Sequence, residues 1–532
     1  MTNSISEVEG NEVLFVIGSN TTEAHPIIGN KMKRAVKNGS KLIVIDPRRT
    51  ELAEFATLWL PLKSGTDTAL VNGLMHIIVK EGWHDKEFIE TRCTGFENVL
   101  EVIKKYTPET VEEITGISEK MLYETAKLYT STKKAGIYYT LGITEHTTGT
   151  ANVMNLANLA MLTGHLGVEN AGVNPLRGQN NVQGACDMAA LPNTLPGYQS
   201  LSDKKNIKFF EKCWGVKLNP NNGLRVPEML DEALSGNIKA MYVMGEDPVL
   251  TDPNANHVKK AMESLDFLVV QDLFMTETAK FADVILPAAS YAEKDGTFTN
   301  TERRVQRVRK AVDAPGECRL DWEILSEVAT KLGAKGFNYK NSEDIFNEIR
   351  LTMPSYRGIT YERIDKVGLQ WPCPNEEHPG TKYLHKGTFP RGKGLMVPVE
   401  YEAPAELVSD EYPILLTTGR MLYQYNIMTR HSKRLNAIKP YELAEMNPAD
   451  AERLGLKEEE FVRVTSRRGS ILTRITITDK VKPGMMFMTF HYKESPVNEL
   501  TNSVFDPISK TAEYKITAVN VEKADVPKDK IG

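Results

Sequence analysis

Short apolar runs, each stopped by a glycine or an acid, recur along the chain and predict buried parallel strands. From Val13 the sequence reads Val-Leu-Phe-Val-Ile with no polar alternation until Gly18, the pattern of a strand covered on both faces. His25-Pro26 opens a helical stretch to Lys37, Asn38-Gly39 closes it, and Lys-Leu-Ile-Val-Ile carries a second strand to Asp46. The pattern returns at Met241: Met-Tyr-Val-Met stops at Gly245, a helix covers Asn256 to Ser264, and Phe-Leu-Val-Val-Gln ends at Asp272. Gly18 precedes Asp46 by 28 residues and Gly245 precedes Asp272 by 27. Nine residues beyond each Asp the likeness continues, Phe55-Ala-Thr-Leu-Trp-Leu-Pro61 against Phe281-Ala-Asp-Val-Ile-Leu-Pro287. Self-similarity over this length predicts two copies of one α/β unit. Open α/β sheets bind ligands beyond the carboxyl ends of their strands, so the duplication predicts two nucleotide-like sites. Neither turn is a G-x-G-x-x-G fingerprint, and Asp46 taken alone is equally an ordinary acid at a strand end.

Between the copies, Thr107 to Ser131 reads as helices with a charged face, Gly136 to Leu141 as a strand, and Asn152 to Leu166 as an apolar helix. Glu293 to Arg304 reads as a polar, turn-rich segment and Trp322 to Leu332 as an amphipathic helix. Residues 354–404, rich in Pro, Gly and Lys, read as irregular structure at a junction. From Tyr412 short β-runs take over: Ile414 to Thr418, Phe461 to Thr465, Ile471 to Thr478, Met485 to Phe490 and Tyr514 to Val521. One helix interrupts them, begun by Asn447-Pro448 and ended by Gly455. Together they predict a small β-barrel. The expected architecture is α/β: two pseudo-symmetric Rossmann-like domains at 1–179 and 180–291, a connecting region at 292–408, and a C-terminal barrel at 409–532.

The stretch Gly172 to Met188, Gly-Val-Asn-Pro-Leu-Arg-Gly-Gln-Asn-Asn-Val-Gln-Gly-Ala-Cys-Asp-Met, is too rich in Gly, Pro and Asn for a helix or central strand and predicts a shaped loop. Arg177 is its only cation and no acid appears before Asp187, so a guanidinium fork stands among amides, suited to a small anion or a heteroaromatic ring. His146, in the polar loop Gly142 to Gly149, could be a base or a ligand, but a lone histidine there is more often a hydrogen-bonding residue.

The net charge of -5, with scattered Lys and Arg, speaks against nucleic acid as the principal partner, and no run reaches the apolar length of a membrane span. The five cysteines, Cys93, Cys186, Cys213, Cys318 and Cys373, are far apart without a C-x-x-C pair. They offer no local iron–sulfur or zinc motif, and they suggest a reducing, cytoplasmic compartment.

With Met-Gly-Glu-Asp-Pro, Phe-Ala-Asp-Val-Ile-Leu-Pro, Gly-Thr-Phe-Thr-Asn-Thr-Glu-Arg-Arg-Val-Gln, Thr-Thr-Gly-Arg and the Arg177 stretch assembled, the chain resembles the molybdopterin oxidoreductases over essentially its whole length, most closely the formate dehydrogenase catalytic subunits. The resemblance implies two molybdopterin guanine dinucleotides around molybdenum or tungsten. One would be lined by Gly18, Ser19, Asn20, Glu23, His25, Asp46, Arg48, Gly65 and Asp67. Gly245, Glu246, Gln271, Asp272, Lys294 and Asp321 would line the other. Leu141, Gly142 and Glu145, with Thr418, Gly419, Arg420, Asn498 and Lys515, would meet the pterins as the barrel closes over them. Arg177 would orient formate, with Gln179 beside it.

The resemblance also implies a Cys or selenocysteine metal ligand and a four-cysteine 4Fe-4S centre, both upstream of the point matching Met1. In selenium-containing members UGA encodes that ligand, and reading it as a stop would restart the chain at the next Met. The expectation is therefore a C-terminal portion without formate oxidation of its own. Its partner would be an electron-transfer subunit, a hydrogenase, ferredoxin, NAD or a deazaflavin. A nitrate reductase-like enzyme, a non-catalytic pterin-binding scaffold, and an NADP enzyme using Arg48 and Arg49 on a 2′-phosphate stand as alternatives.

Overall fold

The computed structural model describes residues 1–525. The chain forms two compact units. The first is assembled from Met1–Gly178, Leu250–Asn256 and the chain from Tyr383 onward, the second from Gln179–Val249 and His257–Lys382.

In the first unit, β1 (Val13–Ile17), β2 (Lys41–Ile45), β3 (Leu58–Leu60), β4 (Ala135–Tyr139) and β5 (Gly172–Pro175) form an all-parallel sheet in the order β3-β2-β1-β4-β5. Alternate side chains leave a strand on opposite faces. Leu14, Val16, Leu42 and Val44 therefore pack with Ile28 and Met32 of α1 (Pro26–Lys37). Phe15, Ile17 and Ile43 pack with α2 (Asp67–Lys80) and α3 (Gly149–Leu162). Burial on both sides is why β1 needs five consecutive apolar residues.

The Gly172 to Met188 stretch departs from the expected loop. Its beginning is β5, an edge strand, where a terminal Pro175 removes no ladder bond that the sheet needs. In the second unit Val182–Asp187 is a short helix, α4, begun at Asn181 with φ 62.

The second unit holds β6 (Ala240–Met244), β7 (Phe267–Asp272) and β8 (Val284–Pro287), parallel in the order β8-β7-β6. The repeat reaches the pairing register: Val13 faces Lys41 and Ile43 faces Leu58, while Ala240 faces Phe267 and Val269 faces Val284. One departure is burial, since β6 and β8 are largely exposed where β1 is covered. Glu293 to Arg304 is not merely turns: β9 (Gly296–Thr299) and β10 (Arg304–Val308) make an antiparallel hairpin. Inside the expected irregular region Tyr356, Ile359, Tyr361 and Ile364 are core residues, packed with Phe346.

The first unit also contains a closed barrel of β11 (Ile414–Gly419), β12 (Leu443–Met446), β13 (Phe461–Thr465), β14 (Ser470–Ile477), β15 (Met485–Thr489) and β16 (Thr517–Lys523), in the order β11-β15-β12-β14-β13-β16. The mixed α/β fold with parallel sheets and a C-terminal barrel is thus as the sequence predicts. Leu443–Met446 carries no β-branched residue and gives no strand signal, yet partners on both sides hold it extended. Among the described residues no helix is long and apolar enough to cross a membrane.

Candidate functional site

Within the first unit, the carboxyl ends of β1, β2 and β4 open onto a cleft enclosing about 960 Å³ out to its mouth. Gly18, Asn20 and His25 from the first turn, Asp46 and Arg48 from the second, Gly65 before α2 and Asp67 at its first residue all line it. Leu141 and Gly142 after β4 join them, and the barrel contributes Thr418, Gly419, Arg420 and Lys515. The floor depends on two glycines: Gly142 N–H donates to Gly18 O at 3.1 Å, and a Cβ on Gly142 would lie 2.6 Å from that oxygen. Gly18 itself sits at φ +55, so both positions exclude a side chain.

The polar side chains here are costly as they stand. Among the described residues Asn20 Oδ1, His25 Nδ1 and Arg48 Nε are buried without a hydrogen-bond partner, and such groups call for a ligand or water. Among the described residues the hydrogen bonds of Arg420 go to neutral acceptors, Gly178 O at 3.1 Å, Ala24 O at 3.5 Å and Asn426 Oδ1 at 3.1 Å, and burial lowers its pKa against the opposing Glu145 charge. A desolvated guanidinium so placed favours an anion.

Burial pushes the Asp46 carboxyl up to about 6 against the opposing Arg48 N–H, which donates to it at 2.9 Å. Burial likewise raises Asp67. For His146, burial opposes the charge, but the Glu513 carboxylate 3.1 Å away, together with Asp67 and the Gly142 carbonyl, raises the pKa. Its Nε2 meets Gly142 O at 3.0 Å, the hydrogen-bonding role its setting suggested. Arg48 Nη2 reaches both Glu445 oxygens, at 2.9 and 2.7 Å, and its guanidinium lies 3.4 Å from the centre of the Phe487 ring.

Several expected residues stand off the cleft wall. Ser19 Oγ pairs with Thr21 Oγ1 at 2.8 Å, and Glu23 is half-buried. Glu145 holds Lys515 Nζ at 2.6 Å, and that ammonium also donates to Thr418 O. Asn498 spends its amide hydrogens on Leu250 O and Thr251 O. Arg177 is half-buried just beyond β5, between the lining residues Leu176 and Gly178, and its charge partly offsets the burial that pushes Tyr139 up to about 12.

In the second unit, Gly245 at φ +65 and Asp272 end β6 and β7. Gln271 Nε2 donates to Asp321 Oδ1 at 2.8 Å, Lys294 pairs with the other Asp321 oxygen, and burial raises Glu246. Lys294 and Asp321 also edge a cavity with Phe298, Trp322, Phe346 and Tyr361. Gln179 is exposed.

Cleft residues that the sequence did not single out include Leu62, Ser64, Thr140, Thr417, Phe487 and Phe490. The signal for Phe487 was present: in Met485 to Phe490 alternate residues take opposite faces, with Met486 and Met488 in the barrel core. His491 also escaped notice. It is fully buried, both ring nitrogens lack a partner among the described residues, and burial beside Arg430 and Arg420 pushes it down to about 3.

Residues 1–331 match the molybdopterin oxidoreductase family, and residues 414–518 match the Molydopterin dinucleotide binding domain. The chain is 51% identical over 528 residues to the F420-dependent formate dehydrogenase subunit alpha of Methanocaldococcus jannaschii, covering 98% of this chain and 78% of that protein. It is 42% identical to formate dehydrogenase H of Escherichia coli, covering 98% and 74% respectively. A solved structure, acetylene hydratase from Pelobacter acetylenicus, shares the fold with a TM-score of 0.79 at 22% identity, over 98% of this chain and 79% of that one.

Proposed function

The chain belongs to the molybdopterin oxidoreductase family, and from that premise we propose that it is the catalytic portion of a formate dehydrogenase, converting formate to carbon dioxide, a proton and two electrons. The observation that carries this reading is Arg177, set at a strand end between two residues of the cleft wall. A guanidinium there binds a carboxylate through two parallel N–H groups and fixes the direction of its C–H bond. Lysine would supply charge without that direction. Gln179 adds an amide that can donate or accept beside it.

The cleft fits a guanine-bearing dinucleotide. Among the described residues Asn20, His25 and Arg48 offer unpartnered polar atoms, the desolvated Arg420 is hydrogen-bonded to neutral acceptors, and Asp46 stands at the second strand end where such folds hold a ribose. Gly245, Glu246, Gln271, Asp272, Lys294 and Asp321 would hold the second dinucleotide. When bound, the pterins and their molybdenum or tungsten supply the two-electron acceptor. The metal's Cys or selenocysteine ligand and a 4Fe-4S centre would come from sequence outside these residues. The M. jannaschii relative is F420-dependent by name, which supports a deazaflavin-linked electron-transfer partner. The five free cysteines support a reducing cytoplasmic setting.

The test is reconstitution with metal and pterin, for this chain and for one extended to the full length of its relatives, followed by formate-dependent dye reduction. Arg177→Lys should lower kcat/KM about a hundredfold, the size of a lost bidentate anchor. Activity unchanged by that substitution, or metal loading without formate oxidation, refutes the reading.

A further inference from the structure

We propose that His25 and Arg420 are positioning residues for Arg177, gripping successive main-chain carbonyls so that the side chains lining the cofactor cleft also fix the substrate guanidinium. This inference rests on the assignment of Arg177 to formate. His25 Nε2 lies 2.6 Å from Arg177 O. A carbonyl oxygen only accepts, so Nε2 carries the proton, and in the neutral ring Nδ1 is a lone pair without a partner. Burial is the main force holding that ring neutral; the carbonyl bond opposes it and the Arg420 charge adds to it. The next carbonyl, Gly178 O, accepts from Arg420 Nη2 at 3.1 Å. Arg420 is itself anchored from the barrel, through Asn426 Oδ1 at 3.1 and 3.2 Å and by stacking 4.7 Å over the Tyr425 ring.

Behind these two contacts, the sheet holds the chain through Leu176 N–H to Tyr139 O at 2.9 Å. Both gripping side chains present further polar edges to the cleft. A group bound there that satisfies His25 Nδ1 and neutralises Arg420 orders the two grips, and through them the backbone from which the Arg177 side chain leaves. Cofactor occupancy and substrate affinity are thereby coupled through two hydrogen bonds rather than through a moving domain.

Two readouts test this. In the apo full chain, hydrogen exchange of the peptide covering residues 172–178 should quicken about tenfold in His25→Ala and in Arg420→Met, while peptides from β1 and β14 stay unchanged. His25→Gln, whose amide N–H can reach the position of Nε2, should restore slow exchange. In the cofactor-loaded enzyme, His25→Ala should raise the formate KM about tenfold, and His25→Gln should recover KM. Exchange at 172–178 unchanged in both variants, or accelerated equally across the whole chain, overturns the proposal. So does a KM that does not move. If the loaded wild-type enzyme fails to oxidise formate, the functional reading falls while the exchange experiment still decides whether the grips exist.

Discussion

The contact of Arg48 with Glu445 allows a stability prediction worked from geometry. Arg48 is 8% exposed, its Nη2 touches both carboxylate oxygens, and its planar face covers Phe487. Arg48→Met leaves a poorly solvated carboxylate alone and removes the cation–ring contact. Deleting one member of a buried pair costs ~3–5 kcal/mol. The Glu445 side chain keeps 14% exposure, so the lower end, about 3 kcal/mol, is expected. Glu445→Met strands the guanidinium and should cost a similar amount. The double methionine variant should lie within about 1 kcal/mol of wild type, because apolar replacement of both charges removes their desolvation together. The coupling should thus exceed about 2 kcal/mol. A two-unit chain need not unfold in one step, so the measurement is native-state hydrogen exchange of Met485–Thr489 in β15, supported by thermal shift of the apo protein. Single effects that add within about 0.5 kcal/mol would refute the reasoning.

Further predictions concern the same cleft and its rim. Asp46 has its folded pKa raised to about 6, so the apo chain loses stability as pH rises from the unfolded value through 6. Asp46→Asn should therefore stabilise it by about 3 kcal/mol at pH 7.5 and by little at pH 4, read by native-state hydrogen exchange of Lys41–Ile45 in β2 at the two pH values. His491 has the opposite slope, since its folded pKa is pushed down to about 3. Stability then falls as pH drops below about 6.5, and His491→Gln should recover about 3 kcal/mol at pH 4.5. Gly142→Ala would place a Cβ 2.6 Å from Gly18 O, a backbone atom with little room to give. It should cost ~1–3 kcal/mol and abolish retention of guanine nucleotide, measured after acid release; full retention would contradict the close-approach argument.

The duplicated unit was legible because it is written twice, in apolar runs whose end residues, spacing and even pairing register agree at Val13/Lys41 and Ala240/Phe267. The barrel was legible from its β-runs except at Leu443–Met446, whose strand is imposed by neighbours and leaves no local trace. The hairpin at Gly296 to Val308 was obscured by its Asn and Thr content, since those residues suit turns and edge strands alike. Of the cleft, the first-turn residues and Asp46 followed from the strand ends. Phe487 was legible only as a residue facing away from the barrel core, and its place on the cleft wall, like the burial of His491 beside Arg420 and Arg430, comes from what long-range folding brings together.

The first unit is built from three separated stretches, and its barrel is the last of them to be synthesised. On a ribosome the sheet of β1 to β5 emerges early but waits for nearly half the chain before Arg420 arrives and for more than half before Lys515 does. At ~5–20 residues per second this is a delay on the order of half a minute, during which the strand-end surface meant for the barrel stands open. A prosthetic group can therefore be enclosed only once Arg420 and Lys515 have been made and placed, which makes its insertion a late, chaperone-compatible step rather than a nucleus for folding.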